Sequence, residues 1–208
     1  NKGDDIIKEI HDLLDSRVDG FMESIPKVQR QAYDEVLILA KELDTNKDGT
    51  IKPTLKNVKM IAKIKQRLNE VIIDGRYMKE LQRVVDTYEK IAVHQNSYFT
   101  TMVGQFGIPS VHAEIQRQSI EITVESLGKN GLNAGVINKV RDILNKNVTT
   151  GGKISSFMEE VRLYLLDSPD GDGALKKYTS QIVTDALNQY SRQYNQILTD
   201  DLLSLIHI

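Results

Sequence analysis

The amino-acid sequence predicts an all-α protein, an irregular bundle of about eight amphipathic helices. Three observations carry that expectation. Apolar residues recur at spacings of three and four through most of the chain, which lays one stripe along each helix. No segment sustains the two-residue alternation of a half-buried strand. The polar and glycine-rich breaks between stripes are short, as connections in helical bundles are. The helices share no fixed repeat period, which argues against a regular solenoid.

The first helix is predicted over 4–25, where Ile6, Ile7, Ile10, Leu13, Leu14, Val18, Phe21, Met22 and Ile25 form one stripe behind a capping Asp4 or Asp5. Pro26 suits a first helical turn, because its missing N–H is unsatisfied there anyway. A second helix is therefore expected from Pro26 through Val28, Ala32, Val36 and Ala40 towards Leu43. After the polar stretch 44–50, a third should start near Pro53. Its expected inner face is Leu55, Val58, Ile61, Ile64, Leu68, Val71 and Ile72, with Gly75 at its close. A fourth begins near Arg76 and presents Tyr77, Leu81, Val84, Val85, Tyr88 and Ile91.

Gly104 and Gly107-Ile108-Pro109 interrupt the pattern and set the expected boundary between an N-terminal helical region, 1–107, and a second one, 108–202. Ser110 can cap the next helix, which uses Ile115, Ile120, Ile122, Val124 and Leu127. Residues 128–131 read as a turn. Val136, Ile137, Val140, Ile143 and Leu144 mark a short helix, and the Gly151-Gly152 step separates it from another with Ile154, Phe157, Val161, Leu163 and Tyr164. Beyond the acidic turn 167–173, a last helix carries Leu175, Tyr178, Ile182, Ala186, Tyr190 and Tyr194.

Composition narrows function only by exclusion. The chain has 208 residues, 40% of them apolar, with 27 basic against 29 acidic side chains, which does not fit the signature of disorder. No run approaches the roughly 18 apolar residues that a membrane span needs, so no membrane contact is expected. With no cysteine, disulfides, thiolate zinc sites and cysteine nucleophiles are excluded. The chain opens on Asn1, and its last six residues, Leu203 to Ile208, are what a transposon-end sequencing adapter encodes in one reading frame. Residues 203–208 are therefore expected to be foreign to the natural protein, whose gene should continue past Leu202 into a further C-terminal domain.

The most specific local pattern is Asp44-Thr45-Asn46-Lys47-Asp48-Gly49-Thr50-Ile51, which follows the first eight positions of a helix-loop-helix calcium loop. Oxygens at positions one, three and five converge on a hard cation, and glycine at six permits the sharp turn. Position twelve, however, is Leu55 where a bidentate glutamate is needed. The other reading is an Asx-rich turn that bonds its own backbone. Calcium binding at Asp44 to Leu55, in the manner of EF-hand or dockerin modules, is thus the alternative function. The second acidic turn keeps a worse register and reads as a helix connection in which Asp172 caps the last helix.

Lys52, Lys56, Lys59, Lys63, Lys65 and Arg67 form a basic strip with no acid before Glu70, either a weak DNA contact or a solvated face. His11, His94, His112 and His207 show no metal-ligand spacing, and Glu159-Glu160 lie on adjacent positions that point in different directions. No phosphate-binding loop or nucleophile elbow occurs. No catalytic, cofactor-binding or metal residues are therefore assigned, and no enzyme is expected.

The run from Ala174 to Asn195, with Asp185, Gln189, Tyr190, Arg192 and Tyr194, resembles the helix that precedes the C-terminal domain of minor head proteins of tailed bacteriophages. These are head-morphogenesis proteins such as that of phage Mu. The Gly151-Gly152 step, the helix after it and the acidic glycine turn follow in that family's order. Asp15-Ser16-Arg17-Val18-Asp19 and the helix ending at Leu43-Asp44-Thr45 are similar to the start of such proteins. The resemblance rests on helix patterns, and the family's Arg-Pro-Phe-Cys-type stretch would lie downstream of this chain. It implies a non-catalytic virion component acting in head assembly or DNA packaging, with portal or other head proteins as partners and with self-association through exposed apolar surface.

Overall fold

The computed structural model describes residues 2–103, 108–166, 172–186 and 188, with side chains outside 1–8, 10–11, 91–116 and 119. Seven α-helices run in the order α1 Lys2–Ala40, α2 Leu55–Ile73, α3 Arg76–Val103, α4 Ile108–Leu127, α5 Lys129–Leu132, α6 Asn138–Thr150 and α7 Ile154–Leu165. A π-helical turn, Asn133–Ile137, joins α5 to α6, and residues 174–186 form a further helix, α8. No strand occurs among the described residues, and no helix there is long and apolar enough to cross a membrane. The all-α expectation is met.

The expected break at Pro26 is not there. α1 runs through it for 39 residues. An interior proline removes one helical hydrogen bond and costs about 3 kcal/mol. Phe21 and Ile25 before it, and Val28 and Ala32 after it, are all buried. Each large side chain among them contributes about 1.5–3 kcal/mol on burial, enough to hold both halves of the helix on one core. The Phe21 ring meets the Tyr77 ring of α3 at 5.2 Å between centroids and 59° between planes, a tilted pairing that suits their quadrupoles.

α2 also turns differently from expectation. Its inner face is Asn57, Met60, Ile61, Ile64, Leu68, Val71 and Ile72, whereas Leu55 and Val58 are 71% and 51% exposed. The helix starts at Leu55, close to the expected Pro53, and Thr54 caps it, its hydroxyl accepting the Asn57 amide hydrogen at 3.2 Å. Leu163 is likewise exposed, and Leu165 takes the inner position on α7. Ser110 lies inside α4, which begins at Ile108. Residues 104–107 and 167–171, Tyr190 and Tyr194 lie outside the described residues.

One apolar cluster unites both sides of position 107. Leu127, Leu132, Val136, Ile137, Val140, Leu144, Phe157 and Val161 pack into the same core as Phe21, Ile64, Leu68, Tyr77 and Leu81. α1 packs on α2, α3 and α7, and α2 packs on α6. Tyrosine hydroxyls tie down the region around the π-helical turn. Tyr77 donates to the Leu127 carbonyl at 2.9 Å, Tyr178 to that of Ser126 at 2.7 Å and Tyr164 to that of Val136 at 3.1 Å. Helix ends leave carbonyls without intrahelical partners, and the Tyr77 and Tyr178 phenols bond two carbonyls of the last turn of α4.

Candidate functional site

The turn between α1 and α2 is the segment whose sequence points most directly to chemistry. α1 ends as Glu42 and Leu43 bond back to the carbonyls of Leu39 and Ala40, and the chain then reverses over 44–54. Gly49 adopts φ +82°, the left-handed conformation that glycine reaches without steric cost. That much agrees with the role of glycine at the sixth position of a calcium loop. The Asn46 amide and carbonyl bond Thr50 and Gly49 at 2.8 and 3.0 Å, which closes the tip.

The side chains of positions one, three and five are engaged by the chain itself. Asp44 Oδ1 accepts from Lys56 Nζ at 2.6 Å. Asp48 Oδ1 accepts from both the amide and the hydroxyl of Thr50, at 3.1 and 2.7 Å, and these bonds hold its carboxyl below the usual aspartate range. Asn46 presents its Nδ2 to the Thr50 hydroxyl at 2.8 Å. Leu55, at position twelve, offers no oxygen and faces solvent. Among the described residues, no group of three or more His, Asp and Glu is placed to share a metal ion.

What holds the turn is Asn57, a residue the sequence reading passed over. It is fully buried, and its amide bonds Asp44 and Lys52 from within α2. The Thr-x-x-Asn spacing at the start of α2 was the available signal, since a polar residue on the inner face needs a partner. A second clasp comes from the α6–α7 connection. Ile51 donates to the Gly152 carbonyl at 2.8 Å and Ile154 to that of Gly49 at 2.9 Å, flanking an antiparallel bridge between Thr50 and Lys153. Gly151 at φ +65° ends α6, and Ile51 is fully buried beneath the clasp.

The basic strip meets a facing row of acids. Lys56 pairs with Asp44, Lys63 with Glu42 at 3.1 Å, and Arg67 grips Glu35 through two bonds of 2.9 and 3.0 Å. Arg67 holds the Glu35 carboxyl below its ordinary range. Lys52, Lys59 and Lys65 make no such pair among the described residues. Glu159 and Glu160 do diverge: Glu159 pairs with Arg162 at 2.8 Å and Glu160 with Lys146 at 3.8 Å. Asp172 pairs with Lys176 at 2.7 Å, and the Lys176 amide is met from α1, by Gln29 Oε1 at 2.9 Å. The side chains of His11, His94, His112 and His207 lie outside the description. No protein-family model, curated protein or solved structure matches the chain.

Proposed function

We propose that this chain is a non-catalytic structural component of a phage head, a minor head protein that acts in head assembly or DNA packaging. Its partners on this reading are the portal or other head proteins, and its place is the virion, assembled in the host cytoplasm. The observation that carries the reading is the docking of α8. The run that resembles the phage family begins there, and Gln29 fastens its first turn to α1 while Tyr178 fastens it to the end of α4. A helix held at two points by the bundle suits a rigid support for whatever it joins. Exposed Ile38, Leu55 and Val58 supply apolar contacts for a partner or a second copy. Three unpaired lysines of the strip support only a weak DNA contact, one that fades with salt.

The test is the composition of purified phage particles from the source material. Peptides of this chain are expected in particles that also contain portal and major capsid proteins, and portal and terminase reading frames are expected beside its gene. Detection of the chain in host cells together with its absence from particles would overturn the proposal.

The calcium-loop reading keeps one favourable feature, the register from Asp44 to Gly49 with its positive φ. Lys56 on the first carboxylate and Leu55 at the twelfth position count against it, because a site lacking a bidentate carboxylate loses charge and coordination together.

A further inference from the structure

A cleft of about 470 Å³ opens on the opposite flank of α2 from the acid-paired lysines, where α2 meets α5 and the π-helical turn. Its volume falls within the range of small-molecule sites, about 300–1,000 Å³. Lys65 and Lys129 stand in its wall, and the side-chain amides of Asn69, Asn130, Asn133 and Asn138 supply much of the rest. No carboxylate lines it.

Lys56, Lys63 and Arg67 on the same helix each have an acidic partner, whereas neither Lys65 nor Lys129 has one among the described residues. Asn69 and Asn133 bond each other reciprocally at 3.1 and 2.8 Å, and their remaining hydrogens go to the Lys65 and Lys129 carbonyls. That pair fixes the floor. Asn130 is exposed, and its side chain has no partner among the described residues. Asn138 Oδ1 is buried without a hydrogen-bond donor. The cleft also borders a π-helical turn, a local geometry found frequently at functional sites.

We propose that this cleft binds a small phosphate monoester carrying hydroxyl groups, the chemistry shared by sugar phosphates and mononucleotides. A monoester bears close to two negative charges at neutral pH, which two unpaired ammoniums match, whereas each phosphodiester of a nucleic-acid strand bears one. Lys65 and Lys129 hold the phosphate oxygens. Asn130, exposed and unpartnered, donates to the ligand through its Nδ2 and accepts a hydroxyl hydrogen at its Oδ1. The lining has no aromatic ring, so a base has nothing to stack upon and the sugar phosphate itself carries recognition. This inference is independent of the phage-head reading.

Calorimetric titration of the whole chain at low salt with ribose 5-phosphate, AMP, ribose and inorganic phosphate tests it. Ribose 5-phosphate is expected to bind, ribose not measurably, and inorganic phosphate at least tenfold more weakly. Lys65→Gln and Lys129→Gln should each weaken binding tenfold or more, and Asn130→Leu about fivefold, with circular dichroism unchanged for the two lysine variants. Lys59→Gln, outside the cleft, should leave it unaltered. AMP binding equal to that of ribose 5-phosphate marks the shared moiety as sufficient, and tighter AMP binding marks a mononucleotide as the natural source. Absence of binding by both phosphate esters, or binding that Lys59→Gln weakens as much as Lys65→Gln does, overturns the proposal.

Discussion

Asn57 and Asp44 are joined twice through one side-chain amide: Asn57 Oδ1 accepts the Asp44 N–H at 2.9 Å, and Asn57 Nδ2 donates to the Asp44 carbonyl at 2.9 Å. The same Nδ2 reaches the Lys52 carbonyl at 2.7 Å. A strand partner would satisfy a backbone residue in this way, so the amide does for the turn what a sheet would do. The turn is held by protein groups, and its opening requires several half-buried bonds to break together.

Removing that amide therefore leaves the Asp44 N–H orphaned beside a fully buried position, while the Asp44 and Lys52 carbonyls keep the Lys52 and Thr54 amides. Asn57→Ala is expected to destabilise the protein by about 2–4 kcal/mol, more than an ordinary hydrogen-bond deletion of about 1 kcal/mol, because three hydrogen bonds go together, the Asp44 N–H loses its partner and a fully buried side chain leaves a void. Asn46→Ala, at the exposed tip, should cost under about 1 kcal/mol. Urea unfolding measures both. Equal midpoints for the two variants would sink the argument.

Tyr178 and Gly135 make a second linked pair. A Cβ at position 135 would run into the Tyr178 ring, whose hydroxyl bonds the Ser126 carbonyl. Gly135→Ala is expected to cost about 1–3 kcal/mol, as overpacking does. In a Tyr178→Ala background the same substitution should become neutral or favourable, since alanine exceeds glycine in helical propensity by about 1 kcal/mol. A double-mutant cycle reads the change of sign, and additive costs would refute the contact as its cause.

Alkaline stability follows from the buried phenols. Burial raises the pKa of Tyr77 well above the ordinary tyrosine value, with the nearby Tyr178 phenol adding to it; burial pushes Tyr164 up to about 12 and also raises Tyr178. Unfolded tyrosines release their protons near pH 10. Between about pH 10 and 12 the native state therefore holds protons that the unfolded state has lost, and stability must fall as pH rises. It is fully present below pH 10. Urea midpoints at pH 9, 10 and 11 should show a decline that starts near 10, and Tyr164→Phe should make it shallower. A midpoint unchanged to pH 11 would contradict this account.

The helical class was legible because periodicity survives whatever the tertiary contacts do: Phe21, Ile25, Val28, Ala32 and Val36 all proved buried. Pro26 misled because local propensity was outweighed by the burial on either side of it. Leu55 and Val58 misled because a stripe says which residues share a side, while Asn57 decided which side faced inward. The π-helical turn had no signal, since its wide geometry is set by packing of Gly135 on Tyr178 and by Tyr164 on the Val136 carbonyl. At the candidate loop the register from Asp44 to Gly49 was visible, but Lys56 and the clasp from residues 152–154 come from separation in space, which spacing along the chain does not encode.

The last prediction turns the loop into its own control. Two residues separate it from a calcium site, Leu55 by providing no carboxylate and Lys56 by holding Asp44 Oδ1 at 2.6 Å. A cation at that carboxylate must displace an ammonium, and the remaining donors are too few for the six to eight oxygens that calcium prefers. In the natural sequence, 5 mM calcium is expected to shift Tm by less than about 1 °C, because a ligand stabilises by RT ln(1 + [L]/Kd) and a Kd well above that concentration gives little. Leu55→Glu together with Lys56→Gln supplies the twelfth-position carboxylate and frees the first. The doubly substituted protein should gain calcium-dependent stability of about 1–2 kcal/mol at the same concentration, if its Kd falls to roughly a tenth of it or below. Asp48→Asn in that background should abolish most of the gain. Thermal melts with and without calcium decide the matter: a natural chain already stabilised by calcium would restore the loop as a working site, and a double variant that stays indifferent would show that Lys56 and Leu55 are not what excludes the ion.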